Sequence, residues 1–158
     1  MCGITIRKAV ENDIFEIRRL FQETILTVNR KDYTEDQAEC WADRGENKEV
    51  WKERIKEQYF IVAVLDELIT GFAALKPDGY LNSLFVHKDY QGCGVASALL
   101  YHIENHAISN NLTLITADVS ITALPFFLKK GYKIIQEQTV DIGVKMINYK
   151  MEKDLKTE

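Results

Sequence analysis

A glycine-punctuated turn joins a strand-like run to an amphipathic helical pattern, and its residue types are those that bind phosphate. The turn contains Gly92 and Gly94, and the helical pattern starts at Val95. Glycine adopts positive φ angles and has no Cβ, so consecutive backbone N–H groups converge on one anion where a helix begins. From Gly94 onward the first acidic residue is Glu104, although a first helical turn normally favours Asp or Glu. The pattern predicts an anion site, with a tight strand-to-helix connection as the alternative.

Two common phosphate-binding motifs do not match this turn. A P-loop has a lysine directly after its last glycine, and neither Gly92 nor Gly94 is followed by one. The dinucleotide fingerprint Gly-x-Gly-x-x-Gly matches both glycines but then meets Ser97. Asp118 lies too far along the chain to be the ribose-binding acid of that fingerprint.

The motif that matches is Gln-x-x-Gly-x-Ala, filled by Gln91, Gly94 and Ala96. A strand-like run precedes it at 80–87, and the block Ala-Leu-Pro-Phe-Phe-Leu-Lys-Lys-Gly-Tyr follows at 123–132. With the opening strand and helix, these blocks resemble a small bacterial-type member of the GCN5-related N-acetyltransferase (GNAT) superfamily over nearly the whole chain. The resemblance implies a mixed α/β (α+β) fold. Its mostly antiparallel sheet of six to seven strands splays between strands 4 and 5 and is flanked by four to five helices.

The resemblance also implies acetyl-CoA, or another acyl-CoA, as donor and an amine as acceptor, with no metal. The diphosphate is expected on the turn and the helix start, and the pantetheine arm along strand 4, beside a bulge. The thioester carbonyl is expected near a backbone N–H of that strand. The implied coenzyme A contacts are Leu84, Phe85, Val86, Gln91, Gly92, Cys93, Gly94, Val95, Ala96, Ser97, Ser120 and Phe127.

This chain differs from most of the family at the position of the general base, the group that takes a proton from the attacking amine. Many members use a glutamate or a chain of water molecules near strand 4, whereas this chain has Asn82 and Ser83 there and no carboxylate. An amide cannot accept a proton, so we predict that these two residues position a water relay. Phe85 is expected to act through its backbone amide on the thioester carbonyl.

The chain also differs from the family at the position of the general acid. Phe127 stands where the family has a tyrosine that protonates the leaving thiolate. Tyr80, Tyr90 and Tyr132 are candidate substitutes, and Tyr80 is the one we predict among the catalytic residues. A thiol has a pKa low enough for water to suffice as the proton source. Ser120 replaces an asparagine that is frequent in the family and has a shorter reach towards pantetheine.

The region 29–58 is where family members vary most and form the acceptor site. Tyr33 and Trp41 are predicted to contact the substrate together with Tyr80, and Trp51 is a further candidate wall; anchoring of helices is the alternative for both tryptophans. Acids in the same region are candidates for holding a cationic amine, with solvated helix faces as the alternative. They are Asp32, Glu35, Asp36 and Glu39.

Composition supports one domain over residues 1–158, because 158 residues with 46% hydrophobic content bury one good core. An apolar run of membrane-spanning length and a secretory leader are both missing from the sequence, so we expect a cytoplasmic protein. Cys2, Cys40 and Cys93 lack metal-binding spacing and are expected to be free thiols. The net charge of −4 and the scattered basic residues argue against nucleic acid as a partner.

Hydrophobic periodicity and turn residues predict the order of elements. Asn12 or Asp13 is expected to cap the first helix. The predicted strands are 4–7, 59–65, 68–75, 80–87, 112–119, 132–140 and 144–151, and the predicted helices are 13–28, two short ones within 29–58, 94–110 and one that ends at Gly131.

Two classes of function remain open. An N-acyltransferase acting on a primary amine of a small molecule or peptide is the first. A catalytically silent acyl-CoA-binding sensor is the second, because of Phe127 and the missing carboxylate on strand 4. Both predict coenzyme A binding, but only the enzyme releases free thiol when acetyl-CoA meets amines. A nucleotide-binding enzyme would require ATP, and not coenzyme A, to protect the fold. Family members are often dimers, so a homodimer is also expected.

Overall fold

In the computed structural model, which describes residues 3–156, seven strands form one sheet. They are Thr5–Lys8 (β1), Tyr59–Leu65 (β2), Leu68–Leu75 (β3), Tyr80–Val86 (β4), Leu114–Ser120 (β5), Lys133–Asp141 (β6) and Lys145–Asp154 (β7). Their order in the sheet is β1-β2-β3-β4-β5-β7-β6, and the pairing is antiparallel at every junction except the parallel β4–β5 pair. The predicted mixed, mostly antiparallel sheet is confirmed.

The described chain has five α-helices, which cover both faces of the sheet. They are Ile14–Thr27 (α1), Glu35–Asp43 (α2), Lys48–Glu57 (α3), Val95–Ser109 (α4) and Leu124–Lys129 (α5). Helices α4 and α5 pack on one face and α1, α2 and α3 on the other, so the sheet separates two hydrophobic clusters. Three short 3-10 helices, at Glu11–Asp13, Asn29–Lys31 and Lys88–Tyr90, were not predicted.

Strands β2 and β3 have nearly continuous apolar sequences because both of their faces are buried. On the α1–α3 face, Phe72 of β3 belongs to an aromatic cluster with Phe60 and Trp51. Trp51 is 1% exposed and its Nε1 donates to the carbonyl of Gly45 at 3.1 Å. The suggestion that Trp51 forms a wall of the acceptor site is therefore wrong, because this tryptophan is a core residue.

Strands β4 and β5 diverge soon after they meet. They pair at Tyr80 with Thr116 and at Leu81 with Ala117, and the described residues show no pairing between them beyond these positions. On the opposite edge of β4, Leu81 pairs with Leu75 and Ser83 pairs with Ala74, so Asn82 is an extra residue. This is a β-bulge, which bends the strand and changes the facing of the residues that follow it. It lies where the splay begins.

The first helix is not capped in the way the sequence suggested. No side-chain capping bond is formed by Asp13 at the start of α1, within the part of the chain described. Its carboxylate instead accepts a hydrogen bond from the Val10 N–H at 2.8 Å and two from Arg7 at 2.8 and 3.0 Å. Burial alone raises the pKa of Asp13, but the hydrogen bonds from Arg7 and Val10 outweigh it and leave that pKa below its usual value.

Replacing Asp13 with Asn is expected to lower the free energy of unfolding at pH 7 by about 1 kcal/mol, because the charged hydrogen bonds to Arg7 are lost. A carboxyl group with a lowered folded-state pKa stabilises the fold above its unfolded pKa of about 3.9 and loses that contribution as pH falls through its folded pKa. The difference between the two proteins should therefore shrink in acid. Urea denaturation at pH 7 and below pH 4 measures it, and a difference independent of pH would contradict the assignment.

Among residues 3–156, none of the helices is both long enough and apolar enough to cross a membrane. Cys40 is partly exposed, Cys93 is exposed, and both are free thiols. The third cysteine, Cys2, lies outside the described residues. Over the same described range, His, Cys, Asp and Glu side chains form no group of three that would hold a metal ion.

Candidate active site

A cavity of about 730 Å³ fills the opening between β4 and β5 and continues to the start of α4. Its wall includes the predicted coenzyme A, catalytic and substrate residues with one exception. The exception is Cys93, whose side chain is exposed and whose Sγ lies 3.7 Å from the carbonyl of Gln91 in the same turn. Residues far apart in the chain thus meet at one site, which the splay creates.

The turn before α4 presents bare backbone to one end of this cavity. Gly92 and Gly94 have φ angles of 74° and 85°, and a Cβ at either position would meet nothing within 4 Å. The glycines are thus required by backbone conformation, and the space above them is open. Within the described chain no side chain caps α4, and its first turn contains no acid. The N–H groups of its first turn therefore face the cavity without a helical partner.

Gln91 holds the turn against the end of β4. Its Nε2 donates to the carbonyl of Val86 at 2.8 Å, and Thr24 Oγ1 of α1 donates to the same carbonyl at 3.0 Å. The Gln91 side chain is thus used to brace the turn. The edge of β4 from Ser83 onward, where β5 has moved away, is free to pair with an extended ligand.

Three aromatic rings, those of Tyr33, Trp41 and Phe85, form part of the cavity wall. The ring of Tyr33 meets Trp41 edge-on at 5.7 Å, and Trp41 meets Phe85 at 6.0 Å. The Tyr33 hydroxyl accepts the N–H of Ile121 at 2.9 Å and donates to the carbonyl of Ile147 at 2.7 Å. Burial raises the pKa of Tyr33, so the hydroxyl stays protonated. Tyr33 therefore offers its ring to the cavity, while its hydroxyl joins β7 to the turn after β5.

A carboxylate that was not among the predicted site residues lies at the closed end of the splay. Asp118 of β5 accepts a hydrogen bond from the Tyr80 hydroxyl at 2.8 Å and one from Gln138 Nε2 at 2.8 Å. Gln138 also donates to Asn148 Oδ1 at 2.9 Å, which fixes its orientation. Burial raises the pKa of Tyr80, and the hydrogen bond to Asp118 raises it further. Tyr80 is thus a neutral donor that holds the carboxylate, and a poor source of protons.

Comparison with known sequences decides the family. The family model described as an acetyltransferase (GNAT) domain matches residues 29–153, which includes the splayed strands and the glycine turn. The chain belongs to the GNAT acetyltransferase family. It is 30% identical over 141 residues to the uncharacterized N-acetyltransferase YafP of Escherichia coli K12, and the match covers 89% of each protein.

Solved structures agree with this GNAT assignment. A GCN5-related N-acetyltransferase of Rhodopseudomonas palustris is 32% identical to this chain. The match has a TM-score of 0.93 and covers 98% of this chain and 97% of that one. PaiA N-acetyltransferase of Thermoplasma acidophilum, solved with coenzyme A, is 21% identical with a TM-score of 0.82, covering 96% and 99% of the two chains. At that identity the likeness concerns the fold.

The structure separates the three tyrosines considered as acids in this GNAT chain. Tyr132 is 2% exposed, lies outside the cavity wall and donates to Glu104 Oε2 at 2.8 Å. Burial and the charge of Glu104 raise its pKa, so Tyr132 is excluded as a substitute for the missing family tyrosine. Tyr80 is bound to Asp118, as described above. Tyr90 lines the cavity and is the remaining candidate.

The acids expected to hold the acceptor do not line the GNAT cavity. Glu35 pairs with Arg30 at 3.5 Å, and Asp32 accepts the hydroxyl of Thr122 at 2.8 Å. Asp36 and Glu39 are also absent from the wall. The charged residues that do line the wall are Asp118, Asp141, Arg44 and Arg54. The sequence signal for Asp118 was the alternation of β5, in which Thr116, Asp118 and Ser120 interleave with buried Ile115, Ala117 and Val119.

Proposed function

We propose that this chain is an N-acyltransferase that moves an acetyl group from acetyl-CoA to a primary amine by direct attack. The observation that supports it is the cavity, which joins the bare start of α4 to the opening between β4 and β5. A diphosphate matches the first end, and a thioester with an attacking amine matches the second. We also propose that residues 1–158 form one acetyltransferase domain, because one sheet includes all seven described strands.

Acetyl-CoA as the donor follows from the chemistry of these residues. The backbone N–H groups of 92–97 and the positive end of the α4 dipole suit a diphosphate, and the free edge of β4 suits the amides of pantetheine. Among proteins with the same fold, PaiA was solved with coenzyme A and YncA of Salmonella typhimurium with acetyl-CoA. A backbone N–H of Leu84, Phe85 or Val86 then faces the thioester carbonyl and is worth about 3 kcal/mol to the developing oxyanion.

The reaction needs no covalent enzyme intermediate. The acceptor nitrogen bonds to the carbonyl carbon while the carbon–sulfur bond breaks and coenzyme A leaves as a thiolate. The acceptor ammonium gives up two protons in all; one reaches the thiolate and one reaches solvent. Cys93 takes no part in this proposal, because its side chain lies outside the cavity wall.

Proton transfer is assigned to water and to polar groups at the bulge. Asn82 and Ser83 line the cavity beside the splay, and the Asn82 side chain is held by Gln58 at 3.4 Å. We assign to these two residues the water that takes the first proton from the acceptor. Asp118 holds the ammonium by charge, and Tyr90 or water supplies the proton to the thiolate.

Release of free thiol tests the proposed function. Purified full-length protein with acetyl-CoA and a panel of primary amines should release coenzyme A thiol far faster than acetyl-CoA alone hydrolyses. Calorimetry with coenzyme A gives the binding constant in parallel. Binding without turnover on any amine would instead support the acyl-CoA-binding sensor, which Phe127 favours. Neither binding nor turnover would contradict both functions.

A further inference from the structure

Two arginines on the cavity wall have no acidic partner within residues 3–156. The chain has six arginines, and Arg7, Arg18, Arg19 and Arg30 each form an ion pair with Asp or Glu. The two without an ion pair in that range are Arg44, directly after α2, and Arg54 on α3. These are also the two that line the cavity. The pattern indicates a place built for an external anion.

The surroundings of Arg54 strengthen this interpretation. Its guanidinium lies over the ring of the buried Trp51 at 5.1 Å and is partly withdrawn from water. Burial lowers the pKa of Arg54, and the neighbouring charge of Arg44 lowers it further. Two like charges next to each other, one of them partly desolvated, repel until a counter-ion joins them. A carboxylate bound by the fork of a guanidinium is such a counter-ion.

This anion cannot be the diphosphate of the donor. Gln58, directly after α3, accepts a hydrogen bond from Asn82 at the bulge, and its N–H donates to the carbonyl of Arg54. Arg54 is also close enough to Tyr80, at the closed end of the splay, to interact with it electrostatically. The glycine turn follows the other end of β4, and the strand from Tyr80 to Val86 spans about 20 Å. The glycine turn and the two arginines therefore lie at separate ends of the cavity, and Tyr80, whose hydroxyl binds Asp118, is near Arg54.

We infer that the acceptor is an α-amino acid, with its carboxylate bound by Arg54 and Arg44 and its amino group facing Asp118. This inference rests on the proposed function and names the acceptor class. A polyamine does not suit the site, because two guanidinium groups would repel its cationic chain. The aromatic wall of Trp41 and Phe85 favours an apolar side chain on the amino acid.

A matched acceptor series tests the inference on the full-length protein. L-leucine, leucinamide and 3-methylbutylamine share one side chain but differ in the carboxylate, and L-phenylalanine, phenylalaninamide and 2-phenylethylamine repeat the comparison. With saturating acetyl-CoA, kcat/KM from thiol release is expected to be about 30-fold higher for each free acid than for its amide. A hydrogen bond to a charged group contributes about 2 kcal/mol, which corresponds to this factor. Arg54→Gln should reduce this ratio towards one, mainly through KM. Arg19→Gln, an exposed arginine paired with Glu23, should keep the wild-type ratio.

The possible results distinguish a failure of the amino-acid acceptor from a failure of the proposed acyltransferase function. Equal use of acids, amides and amines by the wild type would overturn the amino-acid acceptor and leave the acyltransferase standing. A preference for acids that survives Arg54→Gln and Arg44→Gln alike would overturn the assigned binding residues. Thiol release with no compound of the series, or of the wider amine panel, would overturn the proposed function and the inference with it. The wild-type ratio is informative even if a variant does not fold.

Discussion

Replacing Gly94 with Asp is expected to raise the dissociation constant for coenzyme A at least 100-fold. The new carboxylate would stand where the diphosphate is proposed to bind, at the bare start of α4. Two unit charges about 5 Å apart repel by about 3 kcal/mol at an effective dielectric constant of about 20, and each 1.4 kcal/mol is tenfold in affinity. The space above Gly94 is open, so the side chain causes no packing clash.

Gly94→Asn is the matched control for that variant. Gly94 has φ of 85°, a conformation that Asn and Asp tolerate better than other residues with side chains. The two variants therefore share the backbone cost and nearly the same volume, and differ in charge. Isothermal calorimetry at low salt should show a much smaller loss for Asn than for Asp. Equal losses would mean that shape and not charge disfavours the ligand, and an unchanged affinity for Asp would place the diphosphate elsewhere.

The glycine turn could be predicted from sequence because its determinants are local. Positive φ at Gly92 and Gly94 and an acid-free helix start are properties of a few adjacent residues. The hairpin of β2 and β3 is equally local, since Asp66 and Glu67 take the left-handed conformation between two apolar strands. Element boundaries, such as those of α4 and β4, were accordingly predicted to within a residue or two.

The splay and the bulge depend on contacts between residues that are far apart in the chain, so a short stretch of sequence does not predict them. Asn82 is unpaired because Leu81 and Ser83 find partners on β3 that are adjacent to each other, and periodicity along β4 gives no sign of this. Here the resemblance to GNAT proteins, and not the residue pattern, supplied the expectation. The family assignment thus predicted what local propensity could not.

The sequence also could not predict which side chains of the variable region 29–58 line the cavity. Trp41 and Trp51 were equivalent as residues in two short helices, yet Trp51 is buried in the aromatic core and Trp41 lines the cavity. Only the packing of α2 and α3 on the sheet separates them. Asp118 was not among the predicted site residues, although β5 alternates buried and more exposed side chains and Asp118 is one of the exposed ones.

The two ends of the cavity differ in their charged groups and have different proposed roles. In the proposed function, backbone amides and the dipole of α4 bind the donor at the glycine turn, whereas side chains bind the acceptor at the closed end of the splay. Asp118 accepts a hydrogen bond from the Tyr80 hydroxyl at 2.8 Å and lines the same cavity as the two arginines. Asp118 and the two arginines match an acceptor that has both an ammonium and a carboxylate.

Replacing Asp118 with Asn is expected to lower kcat/KM for every amine acceptor about 30-fold, because the ammonium loses a charged hydrogen-bond partner of about 2 kcal/mol. Unlike Arg54→Gln, it should affect amides and free acids alike, since both contain the amino group. The dissociation constant for coenzyme A should stay at its wild-type value, because β5 has moved away from the donor end of β4.

Tyr80→Phe separates the charge of Asp118 from its positioning. It removes the 2.8 Å hydrogen bond from the hydroxyl but leaves the carboxylate and its second donor, Gln138, in place. We therefore expect a loss several-fold smaller than that of Asp118→Asn, because the ionised group remains and only one of its two hydrogen bonds is gone. Thiol-release kinetics on both variants decide the matter. If Tyr80→Phe lost as much activity as Asp118→Asn, the hydroxyl itself would contact the reacting groups, and the carboxylate would serve to orient it.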